Sequence, residues 1–391
     1  MTDRSGYRFE TRQIHAGYEP DAEGAVVPPI YNSVTYAYES PSEGISEHRY
    51  TRLSNPTRTA LDRRIADLAG GQYGRTFASG MAAINTVFTA CLSSGDHVVA
   101  GENLYAESHT LLTRVFSSFG VEVTFVDATD LTAIGDAIRP ETALVYLETP
   151  SNPLLTITDI SGVVDRCAAA ESDPVVAVDN TFASPYLQRP LELGADIVVE
   201  SLTKYVAGHS DVMAGALVTD DQDIAEKVDV IAYNQGATLS PYDCFLVFRG
   251  AKTLAGRMQT HCENAMAIAE FLADHAAVSQ VYYPGLADHP NHDVATAQMH
   301  DFGGMVSLEL DASLEETSQI VTNTELFELA ESLGAVESLI EQPAPMTHRT
   351  LSAEELEAAG IPTSLVRLSV GIEHHDDLIA DLDQAIERVL G

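Results

Sequence analysis

Lysine is nearly missing from this sequence. Among its 391 residues there are three: Lys204, Lys227 and Lys252. Positive charge is scarce altogether, since 21 lysines and arginines stand against 58 acids, a formal net charge of −37. Such a surface repels nucleic acid and anionic lipid, which argues against both as partners. The acids run along the whole chain and do not collect in a tail. Distributed carboxylates with so little lysine predict a halophilic protein, because screening at high salt removes the self-repulsion. Long apolar runs are absent too. Stretches such as 142–147 and 175–178 fall well short of a membrane span, and the first ten residues carry no apolar signal-peptide core. The expectation is a soluble, cytoplasmic protein. Cysteine is sparse. Cys91, Cys167, Cys244 and Cys262 are widely spaced, with no Cys-x-x-Cys pair and no Cys/His cluster. They read as thiols in a reducing compartment, and no metal is expected.

What is present is enough for a large core. The hydrophobic fraction is 45%, and the length suits two domains. Residues 1–58 read as an N-terminal arm. Up to residue 50 they are polar and punctuated by Gly and Pro, with Tyr31, Tyr36 and Tyr38 around Pro28-Pro29. Such a segment cannot form a core alone. Over 59–252, short apolar runs at 97–100, 121–126, 143–147, 175–178, 197–199 and 215–218 alternate with helical patterns. These helices are expected at 57–69, 81–92, 107–118, 130–138 and 159–171. That alternation predicts an α/β domain with a mostly parallel sheet covered on both faces. From 253 to 391 the pattern changes. A long helix from about 252 to 274 precedes strands near 280–283, 305–310 and 365–370 and a final helix, 376–390. This predicts a smaller α+β domain.

In open α/β sheets, ligands sit beyond the carboxyl ends of the strands. Three consecutive strands are followed there by polar groups: Glu148-Thr-Pro-Ser-Asn152-Pro, Asp179-Asn180-Thr181 and Glu200-Ser201-Leu-Thr203-Lys204. Lys227 lies in an acidic helical face and reads as a surface ion pair. Lys252 packs or pairs at a helix start. Lys204 follows a buried strand and is flanked by hydroxyls. Desolvation lowers a lysine's pKa and makes it a nucleophile toward carbonyls. A Schiff-base lysine calls for a carbonyl cofactor, and pyridoxal 5′-phosphate needs three further groups. Residues 77–83 read as a turn entering a helix, where Gly80 lets the backbone approach closely and free N–H groups at the helix start can bind phosphate, although many such turns are only caps. Asp179 can pair with the pyridine nitrogen, or simply form a turn. Tyr105 can stack on the ring, or simply pack.

The joint pattern resembles the Cys/Met-metabolism (transsulfuration) family of fold-type-I pyridoxal-phosphate enzymes over nearly the whole chain. Matching motifs are Tyr50-Thr-Arg52, Ser54-Asn55-Pro56-Thr57, Ser79-Gly80-Met81 and Glu148-Thr-Pro-Ser-Asn152-Pro. Further matches are Val178-Asp179-Asn180-Thr181, Ser201-Leu-Thr203-Lys204-Tyr-Val-Ala-Gly208-His209, Glu337-Ser338-Leu339 and Met346-Thr347-His348. The resemblance implies a mostly parallel seven-stranded sheet and a homo-oligomer with shared sites, a tetramer built as a dimer of dimers. Tyr50 and Arg52 would reach the neighbouring subunit's phosphate site. Gly80, Met81, Ser201 and Thr203 would hold phosphate within the chain. Tyr105 would stack and act as acid/base, and Lys204 would carry the chemistry opposite Asp179. Asn152 and Arg367 would bind the substrate carboxylate region, Ser338 would position Lys204, and Glu337 would lie near the substrate.

The implied activity is γ-elimination or γ-replacement on sulfur amino acids or activated homoserine, of the cystathionine γ-synthase/γ-lyase type. Methionine γ-lyase and O-acetylhomoserine sulfhydrylase are rivals. A non-catalytic regulatory protein on the same fold is the alternative from another class. Some residues depart from the pattern. The arginine that grips the distal carboxylate in relatives falls at Thr110, and an acid usual before Tyr50 is replaced by Arg49. Arg49 either substitutes for the missing arginine across the subunit boundary or pairs with an acid such as Glu47.

Overall fold

In the computed structural model, residues 6–41, 48–349, 352, 354, 356 and 360–391 are described. After a short helix α1 (Phe9–His15), the arm runs to Asn55. The Asn55 side chain accepts from Thr57 N and so caps α2 (Pro56–Ala69). Pro56 fills the first turn, where no N–H partner is needed, and Gly70 closes the helix at φ +80°. Residue 58, the expected end of the arm, therefore lies inside a helix, and as a structural unit the arm ends at that cap.

Strand β1 (Tyr73–Phe77) leads to α3 (Gly80–Cys91), capped by Ser79. Next come β2 (His97–Gly101), α4 (Ala106–Thr110) and β3 (Glu122–Val126). A π turn over 111–115 and a 3₁₀ turn over 116–119 continue α4, so the helix expected at 107–118 is there but irregular. The domain continues through α5 (Leu131–Ala137), β4 (Thr142–Glu148), α6 (Ile160–Ala168), β5 (Val175–Asp179), α7 (Ser184–Leu187), β6 (Ile197–Glu200) and β7 (Gly215–Thr219). The sheet has seven strands in the order β1-β7-β6-β5-β4-β2-β3. Strands β2 to β6 pair in parallel, and β7 alone runs antiparallel to its neighbours β6 and β1. The central strands are buried on both faces, which is why they read as unbroken apolar runs.

Helices α8 (Gln222–Gln235), α9 (Pro241–Ala251) and α10 (Leu254–Ala273) connect to the second layer. That layer holds β8 (Val278–Tyr282), α11 (His292–Gln298), β9 (Met305–Leu310), α12 (Leu314–Thr322), β10 (Glu328–Leu329), β11 (Leu339–Glu341) and β12 (Leu365–Ser369). A C-terminal helix, His375–Leu390, closes the chain. The five strands order as β10-β11-β12-β9-β8. Their apolar face packs on α10 and the C-terminal helix through Val306, Leu308, Val366, Leu368, Ile268 and Leu382. Among the described residues, no helix is long and apolar enough to cross a membrane. The arm leaves Val26, Val27, Ile30, Tyr31, Val34 and Tyr38 exposed.

Candidate active site

Three buried carboxyls end three adjacent parallel strands: Glu148 on β4, Asp179 on β5 and Glu200 on β6. Glu148 and Asp179 stand opposite each other in register. Burial raises the pKa of all three above the ordinary carboxylate range. Partners oppose that rise. Asp179 accepts from Thr181 N at 3.0 Å, from Thr181 Oγ1 at 2.5 Å and from Tyr146 Oη at 3.5 Å. Glu148 accepts from Tyr105 N at 2.7 Å and from the Asn152 amide. It thereby ties together the two loops that carry Tyr105 and Asn152. Glu200 accepts from Asn180 Nδ2 at 2.8 Å. Tyr105 caps the start of α4 and is 44% exposed. Burial of its phenol, then the charges of Glu107, Glu148 and Glu331, raise its pKa and keep the proton on.

The loop after β6 carries Lys204, and its backbone is gripped from below. Arg257 on α10 donates to Tyr205 O at 2.6 Å, Val206 O at 3.2 Å and Gly250 O at 3.1 Å. Gly208 sits at φ +70°, and a Cβ there would lie 2.1 Å from Arg257 Nη1. Only glycine meets both demands. Lys204 Nζ donates to Ser332 Oγ at 2.7 Å. Burial, and then the positive charge of Arg367, lower the Lys204 pKa to about 8, while Glu341 and Glu331 pull the other way.

Arg367, on β12, is buried within reach of Lys204. Its Nη1 contacts Asn152 Oδ1 at 2.7 Å and Glu341 Oε1 at 3.1 Å, and its Nη2 donates to the carbonyl of Ser332 at 2.9 Å. Ser332 holds φ at +93°. Such a backbone is strained for a non-glycine residue, and here Lys204 and Arg367 grip it from two sides.

A phosphate-sized anion has a cradle nearby. The amides of Gly80 and Met81, at the start of α3, find no acceptor among the described residues, and neither does Ser201 Oγ. A Cβ on Gly80 would lie 3.0 Å from Ser201 Cβ and 3.1 Å from its Oγ, so glycine keeps this corner open. Thr203 is differently engaged. Its hydroxyl donates to Ala214 O at 3.1 Å and accepts from Ala214 N at 3.0 Å. A reactive amine, an anion cradle and a buried acid at neighbouring strand ends fit pyridoxal 5′-phosphate.

Several expected residues fall elsewhere. Ser338 does not touch Lys204. It is fully buried, donates to Glu373 Oε2 at 2.9 Å and accepts from Gly371 N at 2.8 Å. Ser332, six residues earlier, makes the contact with Lys204. Glu337 is exposed and accepts from Ser210 Oγ at 3.4 Å. The acids acting on Lys204 are Glu341 and Glu331. Tyr50 and Arg52 are not brought to Lys204 within the chain. Arg52 lies over the Tyr50 and Tyr233 rings at 5.3 and 4.7 Å. The Arg49 carbonyl accepts from Tyr36 N at 3.1 Å, while Glu47 lies outside the described residues. Sequence reasoning missed Ser332, Glu331, Glu341 and Arg257. Only the Glu-Ser-Leu tripeptide at 331–333 offered a signal.

Comparison with known proteins agrees with this geometry. The sequence model of the family described as Cys/Met metabolism PLP-dependent enzyme matches residues 10–387. The chain is 48% identical over 389 residues to a cystathionine gamma-synthase of Mycobacterium tuberculosis, covering 98% of this chain and 99% of that one. It is 44% identical over 392 residues to an L-methionine gamma-lyase of Fusobacterium nucleatum, covering 98% and 99%. The crystal structure of cystathionine gamma-lyase from Lactobacillus plantarum complexed with L-serine superposes with a TM-score of 0.94 at 44% identity, covering 98% and 99%.

Proposed function

Because the chain belongs to the Cys/Met-metabolism family of pyridoxal-phosphate-dependent enzymes, we propose that it acts at the γ-carbon of sulfur amino acids or activated homoserine, as a transsulfuration enzyme of the cystathionine γ-synthase/γ-lyase type. The observation that carries this reading is Ser332, which joins the amine of Lys204 to the guanidinium of Arg367. The cofactor, when bound, supplies a carbonyl for the substrate amine and a ring that takes up electron density from Cα. The amides of Gly80 and Met81 and the Ser201 hydroxyl would hold its phosphate. Thr203 can join as a donor only by giving up Ala214 O. Asp179 would pair with the ring nitrogen, and Tyr105 would stack on the ring. Arg367, with Asn152, grips the α-carboxylate. That grip would orient Cα toward Lys204 Nζ, which would take the Cα proton, release it and, neutral again, take one from Cβ. Tyr105, its proton retained, donates to the departing γ-group.

Tyr50 and Arg52 complete the phosphate site of a second copy, in a dimer or a dimer of dimers. The exposed apolar arm supports this, and a monomer in sedimentation at molar KCl would contradict it. The chain then works as an arm, a cofactor domain up to residue 252 and a C-terminal domain from 253, a boundary that limited proteolysis between α9 and α10 would test. The four unpaired cysteines support a cytoplasmic setting, and a disulfide in the native protein would contradict it. Methionine γ-lyase is the rival, favoured by the 44% identity to such an enzyme. One assay panel decides: cystathionine, methionine, cysteine, and O-acyl- or O-phosphohomoserine with and without cysteine, at high salt. Turnover of cystathionine, or its formation, is expected to exceed methionine cleavage, and the reverse sinks the leading reading. An Arg49→Ala arm belongs in the same panel. If Arg49 grips the distal carboxylate, its loss harms cystathionine and spares methionine, whereas equal losses refute that role.

A further inference from the structure

We propose that Glu341 is a positioning residue: it fixes one side of the Arg367 guanidinium so that Nη2 is held toward an incoming carboxylate. The inference rests on the reading of Arg367 as the α-carboxylate site. Strands β11 and β12 are antiparallel, and their register sets Glu341 directly opposite Arg367. Thr347 Oγ1 donates to Glu341 Oε1 at 3.2 Å, so the carboxylate is itself held in place.

The hydrogen-bond pattern tells which edge of the arginine is committed. Nη1 donates to Asn152 Oδ1 and is ion-paired with Glu341 Oε1. One Nη2 hydrogen goes to Ser332 O. Nε is buried and has no partner, and Glu341 Oε2 is likewise buried and unpartnered. A pair built only for stability would close both gaps with a bidentate fork, since orphaned buried polar atoms are costly. Here the fork is left open: Glu341 meets Nη1 alone, and Nη2 keeps one hydrogen uncommitted for a ligand carboxylate. Glu341 also offsets the Arg367 charge at Lys204. The charged groups acting on Lys204 are Arg367, Glu341 and Glu331, and the charge of Arg367 also acts on His348. Removing the Glu341 charge must therefore make a protonated Lys204 nitrogen less stable.

The test uses cofactor-loaded Glu341→Ala, Glu341→Gln and Arg367→Ala. Glycine is the probe, since it carries the α-carboxylate and no leaving group, and its binding is read from the cofactor absorbance. Glu341→Ala is expected to weaken glycine binding by about tenfold or more, the scale of a hydrogen bond to a charged group. Glu341→Gln keeps an acceptor for Nη1 and is expected to restore most of that binding. Both variants should lower the pH midpoint of the Lys204-bound cofactor, a shift that general loosening does not predict. Wild-type glycine binding in Glu341→Ala, or an unmoved midpoint in Glu341→Gln, overturns the proposal. Should Glu341→Ala fail to fold, Glu341→Gln decides alone through the midpoint. If Arg367→Ala also binds glycine normally, the carboxylate reading itself has failed. If it does not, only the role of Glu341 has.

Discussion

Lys204 reacts with a carbonyl only as a neutral amine. An ordinary lysine has a pKa of 10.5, and this one is lowered to about 8. The neutral fraction grows as pH rises through the folded pKa. Capture of pyridoxal 5′-phosphate by the cofactor-free protein should therefore accelerate up to about pH 8 and level off above it. Stopped-flow absorbance can follow this, and a rate still climbing steeply at pH 10 would show that Lys204 is not depressed. Lys204 was visible in the sequence because so few lysines compete with it. Ser332 was not. The tripeptide Glu-Ser-Leu occurs three times, at 200–202, 331–333 and 337–339, and composition cannot choose between the last two copies. Backbone geometry does. Ser332 sits at positive φ on the turn facing Lys204, whereas Ser338 packs on the buried side against Glu373.

At the scale of elements, the strands that read best are those buried on both faces, such as β4 and β5. Strand β1 was missed because Tyr-Gly-Arg-Thr-Phe is half exposed and only its last two residues are buried. Helix α9 was missed although Ser240 caps it and Pro241 begins it, both legible start signals. What no local pattern reveals is which helix holds the Lys204 loop. Arg257 does so from α10, and its side chain is buried, with its pKa lowered to about 10. Arg257→Met would keep the volume and orphan the carbonyls of Tyr205, Val206 and Gly250. The expected loss is about 3 kcal/mol of stability, with faster escape of the cofactor. A urea midpoint within error of wild type would show that water replaces the guanidinium at no cost.

For the whole molecule, charge decides the conditions under which the parts stay together. Each chain carries a formal −37, and in the proposed shared site two chains would have to meet for Tyr50 and Arg52 to reach a neighbour's phosphate. At about 0.01 M salt the screening length is roughly 30 Å, comparable with a domain, so every carboxylate repels many others. At about 1 M it shrinks to roughly 3 Å, and only adjacent charges still interact. Apolar association gains in the same direction, because the arm's exposed Val26, Val34 and Tyr38 are driven together more strongly where salt strengthens burial. Lowering KCl from molar to millimolar should thus lower the melting temperature and shift sedimentation toward smaller species. The two changes should run together, since in the proposed oligomer a second copy would cover the arm's exposed apolar side chains. A melting temperature flat across that range would mean that the acids serve solubility alone. Dissociation without loss of melting temperature would mean that the single chain is stable by itself and that the arm contributes to the active site without contributing to the fold.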